Sequence, residues 1–179
     1  LPQGNGIDPE TDRLLKDARS SFNRGDSDNA IRLLKKAIEK NPNLATAHSN
    51  LGSAYLKNND NSNALRSSTR ALTIDPADWN AYLTRAEIYY RNAQDSLAEP
   101  EYQKALTYNP NLALAYYRLG TINLARRNTG TAKTYFLKAI SISDFNVLDN
   151  QDKSKCHYNL GKAYEWLGDN NQAVANFQK

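Results

Sequence analysis

Cysteine occurs once, at Cys156, and histidine only twice, at His48 and His157. A lone cysteine closes no internal disulfide, which fits a reducing compartment and favours the cytoplasm without excluding an oxidising one. Cys156 and His157 are neighbours in sequence and diverge on a helix, so the scarce metal-ligating types do not converge. The chain carries no phosphate-cradling glycine loop and no nucleophile motif. Its carboxylates are scattered rather than set as an acid and base pair. These gaps predict a protein without catalytic residues, cofactor or metal, and hence not an enzyme. No stretch of about 18 apolar residues exists, so no membrane insertion is expected. Charge of one sign is also missing: 23 Lys and Arg stand against 19 Asp and Glu, a net charge of +4 spread along the chain. That is a solvated surface, not the footprint of a nucleic-acid binder. The chain opens Leu1-Pro2 without a charged-then-apolar leader, which reads as a processed or excised piece.

Spacing is what the sequence does contain. Pro42, Pro76 and Pro110 lie 34 residues apart, and the next step falls on Asp144. The same step links Gly52, Ala86 and Gly120, links Tyr55 to Tyr89, and links Ala37, Ala71, Ala105 and Ala139. Small, aromatic and proline positions repeating in fixed phase predict an array, in which no unit buries its apolar face alone and neighbours must stack. A hydrophobic content of 40% and a mean hydropathy of −0.76 suit such a stack better than a compact core. Units are numbered from Thr11, Ala45, Trp79, Ala113 and, after a seven-residue insertion, Ser154. The predicted organisation is an irregular lead-in over residues 1–10 and a repeat domain over 11–179. Its units are 11–44, 45–78, 79–112, 113–153 with the insertion, and an incomplete 154–179.

Within a unit, His48, Leu51, Gly52 and Tyr55 fall on one narrow arc at about 100° per residue, the packing face of a first helix. A repeated place on that arc makes His48 and His157 packing residues. Glycine costs roughly 1 kcal/mol against alanine inside a helix, so Gly52, Gly120 and Gly161 imply a close neighbouring helix. Asn23-Arg24-Gly25-Asp26 and Leu167-Gly168-Asp169-Asn170 read as turns, with glycine closing one helix and an acid or amide capping the next. Ala30, Leu34 and Ala37, and Ala132, Phe136 and Ala139, form the inward stripe of a second helix. Asn41-Pro42, Asp75-Pro76 and Asn109-Pro110 end it, because proline disfavours helical geometry in the residue before it. Pro100 is expected to cost its helix a hydrogen bond or a kink. Where Ser143-Asp144 replaces the proline pair, the longer connection to Lys153 predicts an extended first helix or a loop.

Leu51-Gly52, Tyr55, Ala64, Ala71 and Pro76, and again Leu160-Gly161, Tyr164, Ala173 and Phe177, resemble the tetratricopeptide repeat family over Thr11 to Lys179. Asp17, Ser21, Ser68 and Pro100 depart from its pattern. The resemblance implies an all-α fold, a right-handed α-solenoid of helix-turn-helix hairpins. It also implies that unit positions two, five, six, nine, twelve and thirteen line a concave groove. That places Arg19, Asn50, Lys57, Leu83, Glu87, Tyr90, Arg91, Tyr117, Arg118, Thr121, Tyr158, Asn159 and Lys162 as candidate partner-binding residues. Asn50 and Asn159 offer an amide to an extended peptide backbone. Tyr90, Tyr117 and Tyr158 offer aromatic anchors, and the cations favour a ligand with acidic as well as apolar character. Some members grip a free C-terminal carboxylate with a clamp of basic residues and asparagines. No register of this chain supplies that set, so no affinity for an EEVD-type tail is expected.

The function these readings imply is a non-enzymatic scaffold that binds a peptide segment or helix of a partner protein and helps assemble a complex. A regulatory or substrate-recruiting segment of a larger enzyme is the alternative, and an RNA-binding helical array is disfavoured by the low net charge. The fifth unit stops within its second helix and leaves Val174 and Phe177 facing outward. A solenoid end usually needs a polar cap, so either the polypeptide continues or that face takes another copy or partner.

Overall fold

The computed structural model describes residues 8–142 and 148–179, and every regular element among them is a helix. The expectations for residues 1–7 and for Ser143-Asp144 lie outside the described residues. The chain divides into two compact units, one up to Gln94 and one from Asp95.

The first unit holds α1 (Pro9–Asn23), α2 (Ser27–Lys40), α3 (Ala45–Lys57), α4 (Asn61–Ile74) and α5 (Trp79–Arg91). Helix α1 begins inside the span read as an irregular lead-in. Pro9 stands where a missing N–H costs nothing, and the Asp8 carboxylate accepts the backbone N–H of Glu10 and Thr11 at 3.1 and 3.0 Å. Consecutive helices form the hairpins α1–α2 and α3–α4, and α3 also lies beside α5. After each first helix the chain turns through the left-handed region at one repeated place: Gly25 at φ 86°, Asn59 at 58° and Ala93 at 56°. An aspartate then caps the next helix, Asp26 to the N–H of Asn29 and Asp60 to that of Asn63, each at 3.1 Å. Hairpins end as the prolines require. Asn41 and Asp75 are extended, and their side chains fold over to accept the N–H of Asn43 and Ala77 at 3.2 and 2.9 Å.

Gly52 explains itself in α3. A Cβ there would stand 2.5 Å from Ser68 Oγ and 3.2 Å from the Ala64 carbonyl on α4. Buried Ala18, Ala30, Leu34, Leu51 and Ala54 make the core of these hairpins, flanked by Leu15, Phe22, Ile31 and Tyr55.

The second unit holds α6 (Asp95–Tyr108), α7 (Ala113–Ala125), α8 (Thr129–Ser141), α9 (Asn150–Trp166) and α10 (Asn170–Phe177). Helix α6 runs through Pro100 without interruption. The cost there is the hydrogen bond that a proline cannot donate. Hairpins α7–α8 and α9–α10 repeat the design of the first unit. Gly120 faces the Phe136 ring and Gly161 the Phe177 ring, with a Cβ at either place coming within 2.6 Å. Arg127 takes the left-handed turn position at φ 64°, and Gly168 takes it at 82°. The insertion before the fifth repeat extends α9, which starts at Asn150 and is 17 residues long where α7 has 13. Its first turn is capped by Asp149, which accepts the N–H of Asp152 at 2.7 Å.

Candidate protein-binding groove

In the first unit the face of α1 and α3 opposite their second helices, together with the start of α5, borders an open groove of about 550 Å³. Helix α1 contributes Arg19, Phe22 and Asn23 from its second half, and α3 contributes Thr46, Ser49, Asn50 and Ser53. Asp75, Ala77, Asp78 and Trp79 close the far end at the α4–α5 turn. The groove therefore runs diagonally across the first helices.

Its floor is held by hydrogen bonds. Ser53 Oγ donates to Asn80 Oδ1 at 3.2 Å and lies 3.1 Å from Thr84 Oγ1. Asn80 Nδ2 in turn reaches Asn50 Oδ1 at 3.4 Å. That contact orients the Asn50 amide with its Nδ2 left over, since among the described residues Nδ2 makes no hydrogen bond. The Arg19 guanidinium is likewise uncommitted among the described residues and is exposed. Asp78 Oδ1 accepts the N–H of Asn80 and Ala81 at 3.0 and 3.1 Å, capping α5. Trp79, the first residue of α5, is 38% exposed.

Other candidates from the sequence serve the fold instead. Lys57 donates Nζ to the Phe22 carbonyl at 3.0 Å, and Arg91 donates to the Leu56 carbonyl at 3.2 Å. Each thus neutralises the C-terminal end of the preceding first helix, where carbonyls lack partners and the helix dipole is negative. Glu87 was expected in the groove, but it is only 5% exposed and does not border it. Leu83 and Tyr90 are half-buried and do not border the groove.

In the second unit Tyr117 is a correction of the same kind. It is 2% exposed, packs 6.3 Å from Phe136 between ring centroids, and belongs to the core with Cys156 and Leu160. Helix α9 covers it. Arg118 pairs with Asp152 at 3.4 Å, with both side chains under one-fifth exposed. Asp152 lies in the extra turn of α9, so the insertion supplies the partner. Thr121 Oγ1 donates to the Tyr117 carbonyl at 3.0 Å, a local bond within α7. Tyr158 is exposed, 5.5 Å from the Phe177 ring, and Lys162 Nζ stands 4.8 Å above it. Asn159 is half-buried nearby on the same helix. His48 is half-buried with Nε2 3.0 Å from the Pro42 carbonyl, and His157 is half-buried against α10 with Nδ1 3.4 Å from Asn176 Oδ1. The buried Cys156 thiol is pushed up to about 12, chiefly by loss of solvent, with the charge of Asp152 adding to it.

Asp75, Asp78 and Trp79 were missed as groove residues because the helical arc was projected only from first-helix positions two to thirteen. The available signal was a tryptophan at the first position of a helix, directly after its capping aspartate.

Family models described as tetratricopeptide repeat match residues 45–78, 80–112 and 113–146, and another matches 155–179. A model described as TPR repeat covers 19–59. The chain belongs to the tetratricopeptide repeat family, an all-α class of helical-repeat solenoids. Proteins of this family generally mediate protein–protein interactions and are typically scaffolds rather than enzymes. No curated protein sequence matches the chain. Among solved structures it is similar to the crystal structure of MamA, with 25% identity, 90% of each chain covered and a TM-score of 0.68. It is also similar to pilF of Pseudomonas aeruginosa, at 19% identity over 97% of this chain and 76% of that one, with a TM-score of 0.79. TTC0263, a thermophilic TPR protein in Thermus thermophilus, is 19% identical over 94% and 88% of the two chains, with a TM-score of 0.69. The last two likenesses show the fold alone. No helix among the described residues is long and apolar enough to cross a membrane.

Proposed function

We propose that the chain is a non-enzymatic protein-binding scaffold whose first unit receives a peptide segment or helix of a partner and so helps assemble a complex. The observation that carries this is the groove itself. Its floor is already hydrogen-bonded, yet the Arg19 guanidinium and the Asn50 donor face it uncommitted among the described residues. An amide held in one orientation suits an extended peptide backbone, and Phe22 and Trp79 suit an apolar anchor. The test is a photoreactive residue at Thr46, which is exposed and borders the groove. Capture of a partner should be lost in the Arg19→Ala, Asn50→Ala double variant with helicity unchanged. Capture that survives both substitutions, or that is equal from Arg32 on α2, would remove the groove from the proposal.

Self-association forms a second part of the proposal, supported by Val174 and Phe177, which are exposed on α10. Within the chain the equivalent ring, Phe136, is covered by Cys156, Leu160 and Ala163 of the following helix. A copy's own α1 carries exposed Arg13, Asp17 and Ser20 at those three places. The polar stripe favours pairing of two C-terminal faces over head-to-tail stacking. A monomer at the highest attainable concentration in sedimentation equilibrium would end this part.

A further inference from the structure

Charge is distributed unevenly along the groove of the first unit, and that unevenness specifies its ligand more closely than the sequence did. At the α1 end stands Arg19, the one cation bordering the groove among the described residues. At the other end Asp75 and Asp78 share a single turn, closed by the Asp78 N–H donating to the Asp75 carbonyl at 3.2 Å. Each carboxylate holds backbone N–H through Oδ1 alone, Asp75 that of Ala77 and Asp78 those of Asn80 and Ala81, which leaves each its second oxygen. Trp79 follows directly and is exposed. An indole face beside two carboxylates attracts an ammonium or guanidinium group by cation–π attraction and by Coulomb attraction together. Phe22 stands one helical turn from Arg19 on α1, and the Asn50 amide on α3 leads from there to Asn80 at the start of α5.

Resting on the proposed peptide-binding function, we infer that the groove takes a bipolar segment of a partner protein. An acidic side chain pairs with Arg19, an apolar residue lies against Phe22, and a lysine or arginine sits on Trp79 between Asp75 and Asp78. The acidic ligand expected from the sequence thus acquires a required basic end. A ligand acidic at both ends is repelled at the α4–α5 turn, and one basic at both ends is repelled at Arg19.

The chain has two tryptophans, Trp79 and Trp166, so the Trp166→Phe variant of the full chain reports from the groove alone. Its fluorescence is titrated with four capped heptapeptides sharing one leucine at the centre. One carries glutamate and arginine at its two ends, one has glutamate at both, one has arginine at both, and one has glutamine at both. The bipolar peptide is expected to bind about fivefold more tightly than the glutamine peptide for each charge pair formed, with the advantage shrinking in high salt. Asp78→Asn, which keeps the helix cap, should remove the advantage of the arginine end while leaving thermal stability close to that of the parent. Equal affinity for the bipolar and glutamine peptides, or preference for the doubly acidic one, would overturn the bipolar reading and leave a peptide groove standing. No change in Trp79 emission with any of the four would sink both.

Discussion

Lys57 on α3 donates its ammonium to the backbone carbonyl of Phe22 at 3.0 Å and stands 4.5 Å above the same residue's ring. One side chain thereby closes the open end of α1, and Arg91 repeats the act on α3 through the Leu56 carbonyl. Both cations occupy unit position thirteen, so the contact belongs to the repeat. Lys57→Met should lower unfolding free energy by about 1 kcal/mol, the size of a charge-assisted bond at a helix C-terminus plus an exposed cation–π contact. Urea unfolding measures it.

Ala93 holds a left-handed backbone, φ 56°, at the place where two other repeats use glycine. A Cβ there costs roughly 1–2 kcal/mol, and glycine returns part of the gain through a freer unfolded chain. Ala93→Gly is expected to stabilise by about 0.5–1 kcal/mol. A fall in melting temperature would count against the strain.

Ser68 and Gly52 make an opposed pair of tests. Ser68 Oγ is fully buried and has no hydrogen-bond partner among the described residues. Ser68→Ala removes that cost and should stabilise by about 1 kcal/mol. Gly52→Ala should destabilise by about 1–3 kcal/mol, since the new methyl meets Ser68 Oγ and the less yielding Ala64 carbonyl. The two substitutions are in contact, so the double variant should recover part of the loss.

Arg118 and Asp152 bind α7 to the added turn of α9. Arg118→Ala leaves the carboxylate half-buried without its partner and should cost about 1–3 kcal/mol. Replacing both by alanine should cost less than the sum of the single losses. Strict additivity in denaturant unfolding would show that the ion pair contributes nothing.

Cys156 is inert in the folded chain, its thiol pushed up to about 12 from an ordinary value of 9.0. Between those values the folded chain keeps a proton that the unfolded chain releases. Stability from this group is complete below about 9 and falls as pH rises through the window to about 12. Cys156→Ala should flatten that part of the pH profile. At about pH 8, below the ordinary thiol value, a thiol reagent should label the native protein only as fast as it opens.

Much of the fold was legible because a repeat tests each position several times. The proline pairs placed the ends of α2, α4 and α6, and the glycines at position eight anticipated the tight contacts with Ser68, Phe136 and Phe177. Of the candidate site, Arg19 and Asn50 do border the groove. Lys57, Arg91 and Arg118 do not border it, because a long cation takes whichever partner its neighbours offer, and those partners are 34 or 35 residues away in the chain.

The sequence by itself determined the period, the helical hairpin and the identity of the packing arc, all of which depend on residues near one another in the chain. Tertiary structure alone decided which face of a first helix stays open. Position five of α7, Tyr117, is covered by α9 and is 2% exposed, whereas position five of α3, Ser49, lies in the floor of the groove. A helical wheel describes one helix, whereas burial depends on the helix that lies beside it.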